Sequence, residues 1–193
     1  MASRWQPGAR DLSALAPELD RQASGAWVQR ISQPAPSVLI FHLYGAGRQM
    51  RLVIDTAPGR LAFGLLPDRA RSPANPPEPP AFCMMLRKYL EGRRLQRAEA
   101  VPGDRIVLLF FGEQGAAGGG KDRPSSAHAM LSVELTGRTA NAVLVVQGTV
   151  AGWIRQPGPG RGLALREPYT LPPPSTAPAQ APLSSAQARP ASL

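Results

Sequence analysis

Residues 79–92 read PPAFCMMLRKYLEG, a short helix with both of its ends written into the sequence. Pro79 and Pro80 suit a first helical turn, where a missing N–H loses no partner. Gly92 suits the position just past the end, where a left-handed backbone is needed. Phe82, Met85, Leu86, Tyr89 and Leu90 recur at helical spacing and are expected to face a core. Arg87, Lys88 and Glu91 fall on the opposite side, which puts a positive pair on the predicted exposed face.

Working upstream, Asp11 is placed to cap a helix carrying Leu12, Leu15 and Leu19, with Pro17 delaying or kinking it and Gly25 ending it. Residues 26–31 (AWVQRI), 37–44 (SVLIFHLY) and 49–54 (QMRLVI) read as three strands of a meander, separated by Pro/Ser and Gly-Ala-Gly turns. Residues 60–63 make a further short strand. Residues 67–80 form a polar, Pro-rich loop.

Downstream, residues 93–97 (RRLQR) read as a basic edge. Residues 102–111 (PGDRIVLLFF) read as a turn feeding a near-continuous apolar strand, one that both faces of a sheet would bury. Residues 112–128 are Gly-rich and expected to be a flexible hairpin loop. Residues 130–135 and 141–146 pair across 136–140, and residues 149–154 are the last strand. From 171 onward the chain is mostly Pro, Ala, Ser and Gln with a single charge, Arg189; such a segment buries too little apolar surface to offset its ordering entropy. The expected organisation is a flexible 1–10, one domain over 11–170, and a disordered tail over 171–193.

The chain has 193 residues, 43% of them hydrophobic, enough for one core. A net charge of +9 favours polyanionic partners, and Lys88 and Lys121 are the only lysines among the basic residues. Arginine grips phosphates bidentately and stacks on bases, so this bias is compatible with RNA; a GC-rich genome would produce it too. A lone cysteine, Cys83, leaves no disulfide framework and fits a reducing compartment. No apolar run is long enough to span a membrane, and residues 1–12 lack a secretory apolar segment, so a cytoplasmic protein is expected.

No catalytic site is expected. Residues 115–122 (GAAGGGKD) have the spacing of a phosphate-binding loop, but Asp122 stands where the Mg²⁺-binding hydroxyl belongs, and Pro124 spoils the helix that must follow. Cys83 with His42 or His128 supplies neither a zinc ligand set nor a convincing nucleophile, and an apolar helix makes Cys83 a core thiol. No paired carboxylates, G-x-S-x-G or H-E-x-x-H are present. No cofactor, metal or small-molecule substrate is expected. Two polar stretches stand out: Asp104-Arg105, which read locally is a turn with Asp104 bonding backbone N–H groups, and residues 134–138 (ELTGR), locally a hairpin with a charged tip.

The 79–92 helix also resembles the signature helix of the NFACT N-terminal domain, the family of bacterial RqcH and eukaryotic NEMF, long catalogued in bacteria as fibronectin-binding. The order and spacing of the first helix and strands, Asp104-Arg105, Glu134-Leu-Thr-Gly-Arg138 with Asn141, and the closing Arg166-Glu-Pro-Tyr169 carry the resemblance over roughly residues 11–174. Thr136 replaces the family's Met, and Thr139-Ala140 its His-Ser. The resemblance implies an α+β fold, a mostly antiparallel β-sandwich with a few helices, similar to the N-terminal domain of formamidopyrimidine-DNA glycosylases. The glycosylases use an N-terminal proline as nucleophile; read against the start Met-Ala-Ser, DNA repair chemistry is not expected.

As function the resemblance implies an RNA-binding module of ribosome-associated quality control: tRNA and the large ribosomal subunit as partners, in the rescue of stalled subunits and alanine tailing. Asp104, Arg105, Glu134, Leu135, Thr136 and Arg138 would contact tRNA, joined by the Arg87/Lys88 face. Asp104 would orient Arg105 toward a phosphate or base edge. The family's helix–two-turn–helix unit, coiled-coil arms and further RNA-binding module are not read here, and a short or truncated form is expected. The alternatives are a fibronectin-binding, adhesin-like module and a functionally silent domain.

Overall fold

The computed structural model describes residues 7–67, 73–113 and 129–173. Among the expectations above, the frayed start (1–6), part of the 67–80 loop (68–72), most of the Gly-rich loop with Lys121 and His128 (114–128), and the tail from 174 onward lie outside them.

Helix α1 spans Ala9–Ala23, so it begins two residues before Asp11. Asp11 lies in the first turn, and its carboxylate accepts the Gly8 backbone N–H at 2.8 Å; the acid steadies the helix start without occupying the cap position. Pro17 neither delays nor ends the helix. Its ring lies on the exposed side, where water can reach the carbonyl whose partner N–H it lacks.

Among the described residues nine strands follow: β1 (Trp27–Ala35), β2 (Val38–Gly45), β3 (Arg48–Asp55), β4 (Ala62–Pro67), then helix α2 (Ala81–Leu90), then β5 (Arg94–Ala100), β6 (Ile106–Gly112), β7 (Ala129–Glu134), β8 (Asn141–Val146) and β9 (Thr149–Trp153). Every pairing is antiparallel, and the order is β4-β3-β2-β1-β5-β6-β7-β8-β9. The chain is therefore a sheet-dominated α+β fold with few helices. Its strands form one continuous hydrogen-bonded sheet, not two separate ones. The stretch expected to be a basic edge, residues 93–97, enters the middle of that sheet as β5.

The joint between β1 and β5 is narrow. Gly25 and Val28 donate to the carbonyls of Leu95 and Arg93, and Leu95 and Gly92 donate back to Ala26 and Val28, at 2.7–2.9 Å. Past Val28 the two strands part. The sheet folds over at this joint, so that Phe41 of β2 stacks on Phe111 of β6 with ring centroids 6.1 Å apart. Buried aliphatic and aromatic side chains from both halves and both helices merge into one core.

Helix α2 sits where the halves part. Phe82, Cys83, Leu86 and Leu90 are buried, Met85 and Tyr89 half-buried against the same core. Burial of each large apolar side chain is worth about 1.5–3 kcal/mol. Gly92 has φ +76, the left-handed turn expected after the helix. Arg87 and Glu91, expected on the solvent side, instead serve β1: the Glu91 carboxylate accepts the Ile31 N–H at 2.7 Å, and Arg87 Nε donates to the Ile31 carbonyl at 2.9 Å. Where β1 loses β5 as a neighbour, its buried backbone groups still need partners, and the last turn of α2 supplies them. On its other side α2 reaches β9, where a Cβ on Gly152 would lie 2.5 Å from Met85 Sδ, so the Met85 thioether packs directly over the glycine and would have to move for any larger residue. Helix α1 lies mainly across β5. Its Asp20 carboxylate accepts the Ala98 N–H at 2.8 Å.

Candidate nucleic-acid interface

The register of the β6–β7 pair assembles the rim that the sequence singled out. Ile106 faces Glu134 in the ladder, and one further bond, Leu135 N–H to the Arg105 carbonyl at 2.7 Å, extends it. The turn before β6 and the turn after β7 therefore emerge side by side. The Arg105 guanidinium lies over the second turn, with Nη2 3.8 Å from where a Cβ on Gly137 would stand.

Asp104 is buried at 6% exposure, and its carboxylate accepts the Arg105 backbone N–H at 2.7 Å. This is the local turn chemistry: the carboxylate holds the main chain that presents Arg105. Thr136–Ala140 contains a one-turn 3₁₀ helix (Gly137–Thr139), closed by a 3.0 Å hydrogen bond between the Thr136 and Thr139 hydroxyls. Arg138 is exposed at its tip.

Arg155, which the sequence reading did not pick out, braces this turn. Its guanidinium donates to the Arg138 carbonyl at 3.3 Å and to the Thr56 carbonyl at 3.2 Å, tying the β7–β8 turn to the end of β3. Asn141 fixes Arg155 in turn, its amide donating to the Arg155 carbonyl at 2.8 Å. The signal was present as an Asn at the start of β8, but nothing local connects it to a residue beyond the next strand.

Two residues of the 134–138 stretch face inward. Leu135 is 0% exposed and packs in the core. Glu134 is 2% exposed, and its carboxylate accepts Arg161 Nη2 at 2.6 Å, Arg161 Nε at 3.2 Å and the Tyr169 hydroxyl at 2.9 Å. The Tyr169 hydroxyl also lies 2.7 Å from Ser132 Oγ. Burial pushes the Tyr169 phenol well above its ordinary value, and the Glu134 carboxylate adds to the shift. Burial alone would lower Arg161, but its ion pair with Glu134 and its contact with Tyr169 outweigh that and raise it. Glu134 is thus the anchor of the C-terminal segment.

Arg87 and Lys88 belong to a different part of the molecule, on α2 beside β1. Arg87 is half-buried in the Ile31 bond described above; Lys88 is exposed, with Nζ 5.3 Å from the Tyr89 ring centroid. Cys83 is fully buried, its Sγ 3.7 Å from the Ile31 carbonyl, and burial raises its thiol pKa against the pull of Arg87. Among the described residues no group of three or more His, Cys, Asp or Glu could hold a metal ion, and no helix is long and apolar enough to cross a membrane.

A family model described as the NFACT N-terminal and middle domains matches residues 9–189. The Rqc2 homolog RqcH of Bacillus subtilis is 31% identical over 127 residues, 66% of this chain and 21% of that protein. The Rqc2 homolog RqcH of Streptococcus pneumoniae is 28% identical over 134 residues, 69% of this chain and 23% of that protein. The chain thus spans under a quarter of the length of these relatives. Among solved structures, the N-terminal domain of the fibronectin-binding protein PavA from Streptococcus pneumoniae superposes with a TM-score of 0.72 at 25% identity, covering 86% of this chain and 62% of that one. The N-terminal part of the fibronectin/fibrinogen-binding protein from Streptococcus suis superposes with a TM-score of 0.74 at 22% identity, covering 89% and 63%.

Proposed function

Because this chain belongs to the NFACT N-terminal family, whose matched relatives are ribosome quality control proteins, we propose that it is an RNA-binding module of that system with tRNA as its ligand. It contacts the tRNA backbone through the rim formed by Arg105 and Arg138. The large ribosomal subunit is the second partner, and rescue of stalled subunits with alanine tailing the process it serves. The module binds and positions; it carries out no chemistry of its own, needs no cofactor, and works in the cytoplasm. We place its fold with the N-terminal domain of formamidopyrimidine-DNA glycosylases.

One observation carries the reading. Two separated basic turns are held side by side by the Arg105–Leu135 bond, each on a rigid ladder end. A pre-positioned pair of guanidiniums suits adjacent phosphates better than mobile charges do. Within the rim Arg105 and Arg138 are the contacts and Thr136 borders them, while Asp104, Glu134 and Leu135 support the backbone from beneath. Lys88 and the outer side of α2 offer a further, weaker contact.

The test is tRNA binding across a salt series for the wild type and for Arg105→Ala/Arg138→Ala. The reading expects affinity for tRNA above that for unrelated RNA of equal length, and a salt slope reduced by about 1 per arginine removed. Equal binding by both proteins, with the same slope, rejects it. Binding to fibronectin but not to tRNA would favour the runner-up, adhesin-like reading, which rests on what the PavA and Streptococcus suis neighbours are called.

A further inference from the structure

At its Trp27 end, the outer face of β1–β3 is open to solvent and unusually composed. Trp27 and Tyr44 face each other across β1 and β2, and Gln49 continues the row on β3. Both aromatics are open to solvent, Trp27 at 43% and Tyr44 at 45% exposure. On the far side of Trp27, Arg94 of β5 is its partner in the ladder, and the Arg94 guanidinium stacks 4.9 Å from the indole centroid.

The next row on this face is Arg30, His42 and Arg51, again directly opposite one another across the three strands. A bulge at Gln29 separates the two rows, and a depression of about 270 Å³ lies among Gln29, Arg30, His42, Leu43, Gln49 and Met50. Neither row contains an Asp or Glu. Cross-strand aromatics flanked by guanidiniums meet the two demands of an unpaired strand: flat surfaces on which bases stack, and fixed positive charge along the backbone.

We propose that this face is a platform for single-stranded nucleic acid, with Trp27 and Tyr44 stacking successive bases and Arg30, Arg51 and Arg94 alongside the phosphates. The platform lies on β1–β3, whereas the Arg105/Arg138 rim lies at the β6–β7 end, so the two readings stand or fall separately. The charge of the rows selects a polyanion over a neutral or basic protein surface.

The experiment titrates the wild-type protein with a 12-nucleotide oligouridylate and with an abasic 12-mer of the same charge, following tryptophan fluorescence and anisotropy of labelled RNA. Stacking predicts that the oligouridylate binds roughly tenfold or more tighter than the abasic strand. Trp27→Ala/Tyr44→Ala should lose that difference, while Trp27→Phe/Tyr44→Phe keeps it. Arg105→Ala/Arg138→Ala should leave it unchanged. Equal binding of the two strands by the wild-type protein overturns the proposal, even should the double alanine variant fail to fold. So does a folded double alanine variant that retains the preference, or binding of neither strand, the result expected of a platform built for a protein.

Discussion

The two halves of the sheet treat their outer faces in opposite ways. On β7–β9 that face carries Met130, Val143, Val145 and Val150, and the chain covers it with its own C-terminal segment, laying Leu163 and Tyr169 over the valines. The segment is stitched to β9 by backbone bonds, Val150 N–H to Glu167 at 2.9 Å and Arg166 N–H to Val150 at 2.8 Å. Arg161 and Tyr169 then lock onto Glu134 beneath. On β1–β3 no such segment lies over Trp27 and Tyr44 among the described residues, and both stay in water among arginines. An aliphatic face must be covered to be stable. An aromatic and guanidinium face tolerates exposure and stays available for a ligand.

The contrast predicts unequal sensitivity to mutation. The largest effect is expected for Glu134→Ala, which leaves Arg161, only 12% exposed at its side chain, without its anion. Removing one partner of such a pair costs about 3 kcal/mol, read as a lower urea midpoint, and the C-terminal segment should become the first site of proteolysis. A loss below about 1 kcal/mol would mean that the lock is incidental and the cover rests on its apolar contacts alone.

Tyr169→Phe is a milder break. It removes the hydroxyl from Glu134 and Ser132 and should cost about 1 kcal/mol. The same hydroxyl sets a pH dependence. The folded protein holds the phenol neutral above its unfolded value of 10.0, so this contribution is fully present below pH 10 and is lost as the pH rises through the raised folded value. Thermal melts should show stability falling from pH 10 upward in the wild type and falling less in Tyr169→Phe. Parallel declines would show that Tyr169 is not the group responsible.

The smallest effect on stability belongs to the Trp27 and Tyr44 face. Trp27→Ala loses one cation–π contact with Arg94, worth about 0.5–1 kcal/mol at an exposed site, and Tyr44→Ala less than that. The ratio between the Glu134 and Tyr44 variants is the sharpest measure of the comparison. If Tyr44→Ala destabilises as strongly as Glu134→Ala, the β1–β3 face is structural and not a free platform.

Much of the fold was legible because its periodicities are clean. β2, β3, β7 and β8 alternate or run apolar, and residues 79–92 carry their own start and stop. Where the pattern failed, a bulge is responsible. In β5 the buried residues are Leu95 and Ala98, three apart, because the extra residue at Gln96 shifts the side chains by one position; period two is lost and the stretch reads as a charged edge. In β1 the bulge at Gln29 likewise sets Val28 and Ile31 three apart, although that stretch still reads as a strand. Asp11 misled for another reason: an acid in the first turn and an acid at the cap look alike in sequence, and only the Gly8 N–H tells them apart.

By itself the sequence determined the helix of residues 79–92, the run of antiparallel strands, the basic balance and the family, since each is written in local spacing and residue type. Tertiary structure alone decided which charges are available. Arg87 and Glu91 look exposed on a helical wheel but are claimed by the backbone of Ile31, and Glu134 looks like a contact residue but is claimed by Arg161 and Tyr169. Arg105 and Arg138, 33 positions apart in the chain, come together only because β6 and β7 pair in one register. A side chain's neighbours along the chain set its conformation, but whether its charge faces water or a partner depends on backbone groups brought from elsewhere by folding.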